Sequence, residues 1–90
     1  MGVEKVYGVV VYEQAAEELA PFASLWLKRT GEFSYFYAKR IDPAGPYFHM
    51  FIESANPDGS ISEFELQIPH TFVKAVLYTA DFKSVGFVAP

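Results

Sequence analysis

The sequence contains no cysteine, and only two of its 90 residues are histidine. Without cysteine the chain has no disulfide framework, no thiolate ligand for zinc or an iron–sulfur cluster, and no cysteine nucleophile. Two histidines are too few for a three-histidine metal site within one chain. The motifs GxGxxG, GxxxxGK[ST], HExxH and GxSxG and the EF-hand calcium loop are also missing. The sequence therefore predicts no cofactor, no metal and no familiar catalytic centre.

Basic residues are in the minority, with seven Lys and Arg against eleven Asp and Glu, which gives a formal net charge of −4. Proteins that bind nucleic acids tightly usually carry a basic surplus, because contacts to phosphate supply most of their affinity. The chain lacks the run of about 18 apolar residues that a membrane span needs, and residues 1–11 do not resemble a secretory signal. We expect a cytoplasmic protein with no membrane partner, for which nucleic acid is a less favoured ligand.

Aromatic side chains are abundant, since nine Phe, six Tyr and one Trp make up 18% of a chain that is 51% hydrophobic. Disordered segments are poor in such residues, so the chain is expected to fold. A chain of this length suits one domain. It buries only about two-thirds of its unfolded surface, and aromatic rings that each bury roughly 150–250 Å² make the core efficient. A single domain over residues 1–90 is predicted.

The first third of the chain predicts a strand followed by a helix. Residues 3–12 are rich in the β-branched and aromatic side chains that strands favour. Residues 13–30 carry acidic residues early, basic residues late and an apolar stripe at helical spacing. This pattern predicts a helix that Pro21 interrupts near Ala20 and that Gly31 ends.

The rest of the chain predicts three strands, a second helix and a last strand. The strands cover residues 32–42, 47–54 and 62–68, the helix 70–80 and the last strand 85–88. The fold class is therefore α+β, in the order β-α-β-β-β-α-β, with one mainly antiparallel sheet and two helices. The stripe of the first helix predicts that Phe22 and Trp26 are buried.

Two turns set the predicted pairing of the middle strands. Residues 43–46 suit a hairpin loop with Gly45 at the position of positive φ. Residues 56–59 suit a second turn better than a fragment of a calcium loop. The first hairpin then pairs Asp42 with Pro46, Arg40 with Phe48, Lys39 with His49, Tyr37 with Phe51 and Tyr35 with Glu53. The second pairs Met50 with Leu66, Phe51 with Glu65, Ile52 with Phe64 and Glu53 with Glu63.

One face of these three strands is the candidate binding site. It groups aromatic and charged side chains: Tyr35, Tyr37, Lys39, Tyr47, His49, Phe51, Glu53, Glu63 and Glu65. An apolar centre with a charged rim is typical of protein-binding surfaces, and aromatic rings on a sheet also stack bases or sugars. The alternative is that a helix or a second subunit covers this face.

Three functions fit this pattern. The favoured one is a non-catalytic interaction module that self-associates as a homodimer and binds a protein partner through the aromatic face, because the predicted strands carry more apolar surface than two helices cover. The second is binding of single-stranded nucleic acid or another planar ligand, against which the three glutamates count. The third is a small enzyme in which Glu53 and Glu63, opposite one another, form an acid–base pair or hold a cation.

Overall fold

The computed structural model describes residues 5–80. Its elements are the strands β1 (Val6–Val11), β2 (Leu27–Arg29), β3 (Ser34–Ala38), β4 (Arg40–Asp42), β5 (Tyr47–Ala55), β6 (Ile61–Pro69) and β7 (Val73–Thr79), the helix α1 (Glu13–Ala23) and a 3₁₀ turn (His70–Phe72). The α+β class and the antiparallel pairing are confirmed. The predicted strand over 85–88 lies outside the described residues.

The strands form two sheets rather than the single predicted one. A four-stranded sheet has the order β2-β3-β1-β7, and a three-stranded sheet has the order β4-β5-β6. All of the pairs are antiparallel. In the stretch from residue 5 to residue 80, no helix has the length and apolar character needed to cross a membrane.

The first helix is shorter than the prediction of 13–30. α1 ends at Ala23, and the basic residues after it belong to β2, which pairs with β3. Pro21 lies in the last turn of α1, where its missing N–H weakens further helix formation. Ser24 caps the helix in place of Gly31, which lies in the tight turn between β2 and β3.

The predicted burial of Phe22 and Trp26 is wrong for the first residue and only partly right for the second. Phe22 is 62% exposed. Trp26 is half-buried, and its ring centroid lies 4.7 Å from that of Phe64. Because the helix has already ended, Trp26 does not continue its stripe. The side chains that α1 buries are small or short: Ala15, Ala16, Leu19 and Ala23.

The predicted second helix over residues 70–80 is wrong. Residues 70–72 form a 3₁₀ turn, and the rest of the segment is β7, which pairs with β1. β1 is a central strand with β3 along one edge, and β7 satisfies the backbone groups along its other edge. Val73, Val76 and Leu77 fit a helical spacing, but a short apolar run of β-branched residues also fits a strand.

Lys39 is the single residue between β3 and β4, and it joins the two sheets. Its N–H donates to the Phe51 carbonyl at 2.8 Å, while Arg40 also pairs with Phe51. Two residues therefore oppose one, which is the arrangement of a β-bulge, and a bulge bends its strand and increases the twist. As a result, Ala38 before the bulge and Ile41 after it both pack against the same core.

The predicted register of the first hairpin is wrong. The observed pairs are Arg40 with Phe51, Ile41 with Met50 and Asp42 with His49. Residues 34–38 pair with β1 and not with β5. The prediction failed at the turn, because it assumed a three-residue loop that pairs Asp42 with Pro46, whereas Asp42 lies opposite His49 and residues 43–48 separate the paired ends.

The predicted register of the second hairpin is confirmed. Met50 lies opposite Leu66, Phe51 opposite Glu65, Ile52 opposite Phe64 and Glu53 opposite Glu63. The turn at residues 56–59 closes this hairpin, with Gly59 at φ +90°. In the first hairpin Gly45 also has the predicted positive φ, at +86°.

One main hydrophobic core connects α1 with both sheets. Its buried members are Val9, Val11, Ala15, Ala16, Leu19, Ala23, Phe36, Ala38, Phe48, Met50, Ile52 and Ile68. Along β5 the buried residues alternate with residues that point away from this core. Within residues 5–80 the opposite face of the three-stranded sheet points away from this core, and it carries the candidate site.

Candidate binding surface

The outer sheet face consists of the side chains of β4, β5 and β6 that point away from the main core. Its members are Arg40, Asp42, Tyr47, His49, Phe51, Glu53, Glu63, Glu65 and Gln67. It brings together six of the predicted site residues: Tyr47, His49, Phe51, Glu53, Glu63 and Glu65. Of the other three, Tyr35 and Tyr37 belong to the four-stranded sheet and Lys39 forms the bulge.

Arg40 belongs to this face but was not among the predicted site residues. Its guanidinium carbon lies 4.1 Å from the centre of the Phe51 ring, and its Nη2 donates to Glu63 Oε1 at 2.5 Å. The stacking and the ion pair together hold the guanidinium over the middle of the sheet. The predicted register places Arg40 opposite Phe48 on the apolar face, and that charged residue among core aromatics was a sign of the wrong register.

A second polar connection runs between β5 and β6. His49 Nδ1 is hydrogen-bonded to Glu65 Oε2, and Gln67 Nε2 donates to the same oxygen at 3.2 Å. Gln67 lies directly opposite His49, so Glu65 is the diagonal neighbour of His49. Since Glu65 is also directly opposite Phe51, the phenyl ring has a charged residue on each neighbouring strand.

The opposed carboxylates of Glu53 and Glu63 differ in their surroundings. Arg40 binds Glu63 and offsets the repulsion that two opposed glutamates exert in a strand pair. Glu53 is exposed and makes no ion pair with any residue between 5 and 80. In that same part of the chain, no three histidine, aspartate or glutamate side chains converge as metal ligands do.

The two tyrosines missing from the outer sheet face form a separate cluster on the four-stranded sheet. Tyr35 is only 1% exposed and packs with Val10. The centroids of the Tyr35 and Phe33 rings are 6.0 Å apart, and those of Tyr35 and Tyr37 are 5.3 Å apart, both edge to face. Tyr35 is a core residue, and the predicted platform that combines it with Phe51 does not form.

Alkaline pH should destabilise the protein through Tyr37. Burial, with a hydrogen bond and a charge interaction from Tyr35, raises the pKa of Tyr37 from 10.0 to about 12. The folded state therefore holds this proton more tightly, and the resulting stability is complete below pH 10.0 and lost as the pH rises toward 12. Urea denaturation on both sides of pH 10.0 should show a fall in the free energy of unfolding that is smaller in Tyr37→Phe. Equal falls in the two proteins would contradict this assignment.

Comparison with known proteins adds no further information about function. No family model matches the chain, and neither a curated protein nor a solved structure matches it. The geometry of the outer sheet face is therefore the main indication of function.

Proposed function

We propose that this protein is a non-catalytic binding module that holds a protein partner on its outer sheet face. The position of Phe51 carries this proposal, because its half-buried ring lies at the centre of the face with Arg40 stacked on it and Glu65 opposite. Interfaces commonly place an apolar centre inside a polar rim, and central aromatic residues contribute much of the binding energy. Tyr47, which is 49% exposed, extends the aromatic surface along β5.

The charges of this face favour a protein over a nucleic acid. Glu53, Glu63 and Glu65 outnumber the one arginine, so phosphate groups would meet mainly negative charge. The ring of Phe51 is the surface on which a base would stack, and Arg40 already covers it at 4.1 Å.

A reaction centre at Glu53 and Glu63 has weaker support. Both side chains are exposed on the outer sheet face, and Arg40 binds one oxygen of the Glu63 carboxylate. Catalytic carboxylates usually lie in concave sites that exclude water. We therefore prefer binding to catalysis.

The homodimer contact belongs to a different surface in this proposal. Two outer sheet faces placed together would oppose their glutamates, and such like-charge contacts cost energy. At the end of α1, Phe22 and Leu25 are 62% and 79% exposed, beside the half-buried Trp26. A second copy that covers this helix-end patch removes exposed apolar surface from water.

Photo-crosslinking from Tyr47 tests the partner surface. A photoreactive phenylalanine at position 47, on the rim of the face, should give an adduct with another protein in cells that naturally make this chain. Adding Phe51→Glu should remove the adduct, because the new carboxylate lies opposite Glu65 in the centre of the contact. Melting temperatures should change by only a few degrees, since position 51 points away from the main core.

The matched control carries Phe22→Glu, which makes the same change on the helix-end patch. This variant should keep the adduct at position 47 and lose the homodimer mass in sedimentation. An adduct that survives Phe51→Glu, or one with twice the mass of the chain, would contradict a foreign protein partner on the outer sheet face.

A further inference from the structure

We propose that the partner is an extended, basic segment that adds as a new strand to the open edge of β6. This inference rests on the proposed function of the outer sheet face and names the chemistry of its partner. One observation supports this inference: residues of β6 present both backbone groups without a strand partner and carboxylate side chains. The two sets of groups lie at the spacing of one extended chain.

The edge of β6 is open within residues 5–80, where its one strand partner is β5. The strand is nine residues long and pairs regularly with β5 over its whole length. Such an edge presents a row of backbone N–H and C=O groups to solvent. Extended peptides bind these edges through main-chain hydrogen bonds, and pockets or charges on the sheet select their side chains.

The odd-numbered residues of β6 direct their backbone groups toward this edge. At the end of the hairpin the Asn56 N–H donates to the Ser60 carbonyl at 2.8 Å. Because bonded and non-bonded positions alternate along an antiparallel pair, the even-numbered residues of β6 bond to β5. The hydrogen bond from the Lys39 N–H to the Phe51 carbonyl agrees with this alternation. It shows that Phe51, an odd-numbered residue, directs its carbonyl away from β6. The backbone groups that a new strand would meet are those of Glu63, Glu65 and Gln67.

The side chains of these residues set the charge of the added strand. Glu63 and Glu65 are two positions apart, so their side chains are roughly 6.5–7 Å apart along the strand. A partner with Lys or Arg at every second position places one cation beside each carboxylate. Arg40 shows that the face accepts such a group, because its guanidinium stacks on Phe51 and binds Glu63.

The same charges disfavour a second copy as the occupant of this edge. Two β6 strands side by side would bring Glu63 and Glu65 of both copies close together. Charged residues on edge strands prevent identical chains from pairing in this way. Only a strand of opposite charge turns this repulsion into attraction, and complementary charge also raises the rate of association.

The test uses a seven-residue peptide in which lysine alternates with threonine, titrated into the whole chain and followed by NMR. The backbone N–H groups of Glu63, Glu65 and Gln67 should become protected from hydrogen exchange on binding. Glu63→Gln with Glu65→Gln should weaken binding about tenfold or more, which corresponds to about 1.4 kcal/mol. Higher salt should weaken the wild-type complex as well.

Two matched controls separate charge from strand pairing. Glu17→Gln with Glu32→Gln makes the same charge change at exposed positions outside the outer sheet face and should leave binding unchanged within about twofold. A peptide that is N-methylated on the edge facing β6 keeps its charge but cannot donate, and it should bind at least about tenfold more weakly.

Several results would overturn the inference. These are no binding of the lysine peptide, equal binding of its glutamate counterpart, or binding that N-methylation does not change. Protection of the β6 edge in the free chain would show that the edge is already occupied, by a second copy if the mass is doubled. If the adduct at position 47 persists while the lysine peptide does not bind, the result supports the binding module and contradicts only the assignment of a basic strand as its partner.

Discussion

Replacing Phe36 with alanine is expected to lower the free energy of unfolding by about 3–5 kcal/mol. Phe36 is completely buried on β3, in the main core. Truncating its ring leaves a cavity that the bent sheets around it cannot fill. Small domains have a total stability of about 5–15 kcal/mol, so the variant should melt well below the melting temperature of the wild type. Urea denaturation followed by circular dichroism measures the loss.

Phe22→Ala is the matched control, because it removes the same ring from a position that is 62% exposed. We expect a change within about 0.5 kcal/mol at protein concentrations at which the chain is monomeric, where the homodimer contact adds no stability. The helical stripe in the sequence predicts that Phe22 is buried, whereas the structure exposes it. This pair of variants therefore also tests which of the two placements of Phe22 is correct. Losses of similar size in the two variants would contradict the exposed position of Phe22 on α1.

Tyr35→Ala should cost nearly as much as the change at Phe36, about 3–5 kcal/mol, as for other buried aromatic residues. Tyr35 is 1% exposed and is central to the aromatic cluster of the four-stranded sheet. Its matched control is Tyr47→Ala, at 49% exposure on the outer sheet face, where we expect a loss below about 1 kcal/mol. Thermal unfolding of both variants under one set of conditions gives the comparison.

The sequence pattern assigns Tyr35 and Tyr47 to one face, so it predicts similar effects for the two. The structure predicts that Tyr35→Ala lowers stability much more than Tyr47→Ala. It predicts that Tyr47→Ala weakens partner binding more, since only Tyr47 reaches the outer sheet face. Comparable melting temperatures for the two variants would contradict the placement of Tyr35.

The second hairpin was predictable because several local signals agree there. The residues of β6 alternate between apolar and polar, the Asn-Pro-Asp-Gly turn has one favoured geometry, and a shift by one residue would bury Glu63 and Glu65. Most of the candidate site follows from this hairpin. The positions of His49, Phe51 and Glu53 relative to β6 were therefore correct from sequence.

The first hairpin and β7 were not predictable in the same way. The Pro-Ala-Gly-Pro segment favours a three-residue loop, but residues 43–48 separate the paired ends, and no residue type marks the bulge at Lys39. β7 has seven residues, of which only Lys74 is charged, and helical spacing of the apolar residues arises in such a run by chance. This segment forms a strand because it pairs with the edge of β1 that β3 leaves unpaired, and that edge exists only in the complete fold.

The bulge makes this part of the chain tolerant of substitution but intolerant of a change in length. Its effect comes from one additional peptide unit, so variation of the residue type at position 39 should leave the bend in place. Deleting that unit would straighten the strand and draw the two sheets apart. Inserting one more would turn Ile41 outward and Arg40 into the core. Insertions and deletions acceptable to this fold should therefore fall in the exposed loops around residues 43–46 and 56–59.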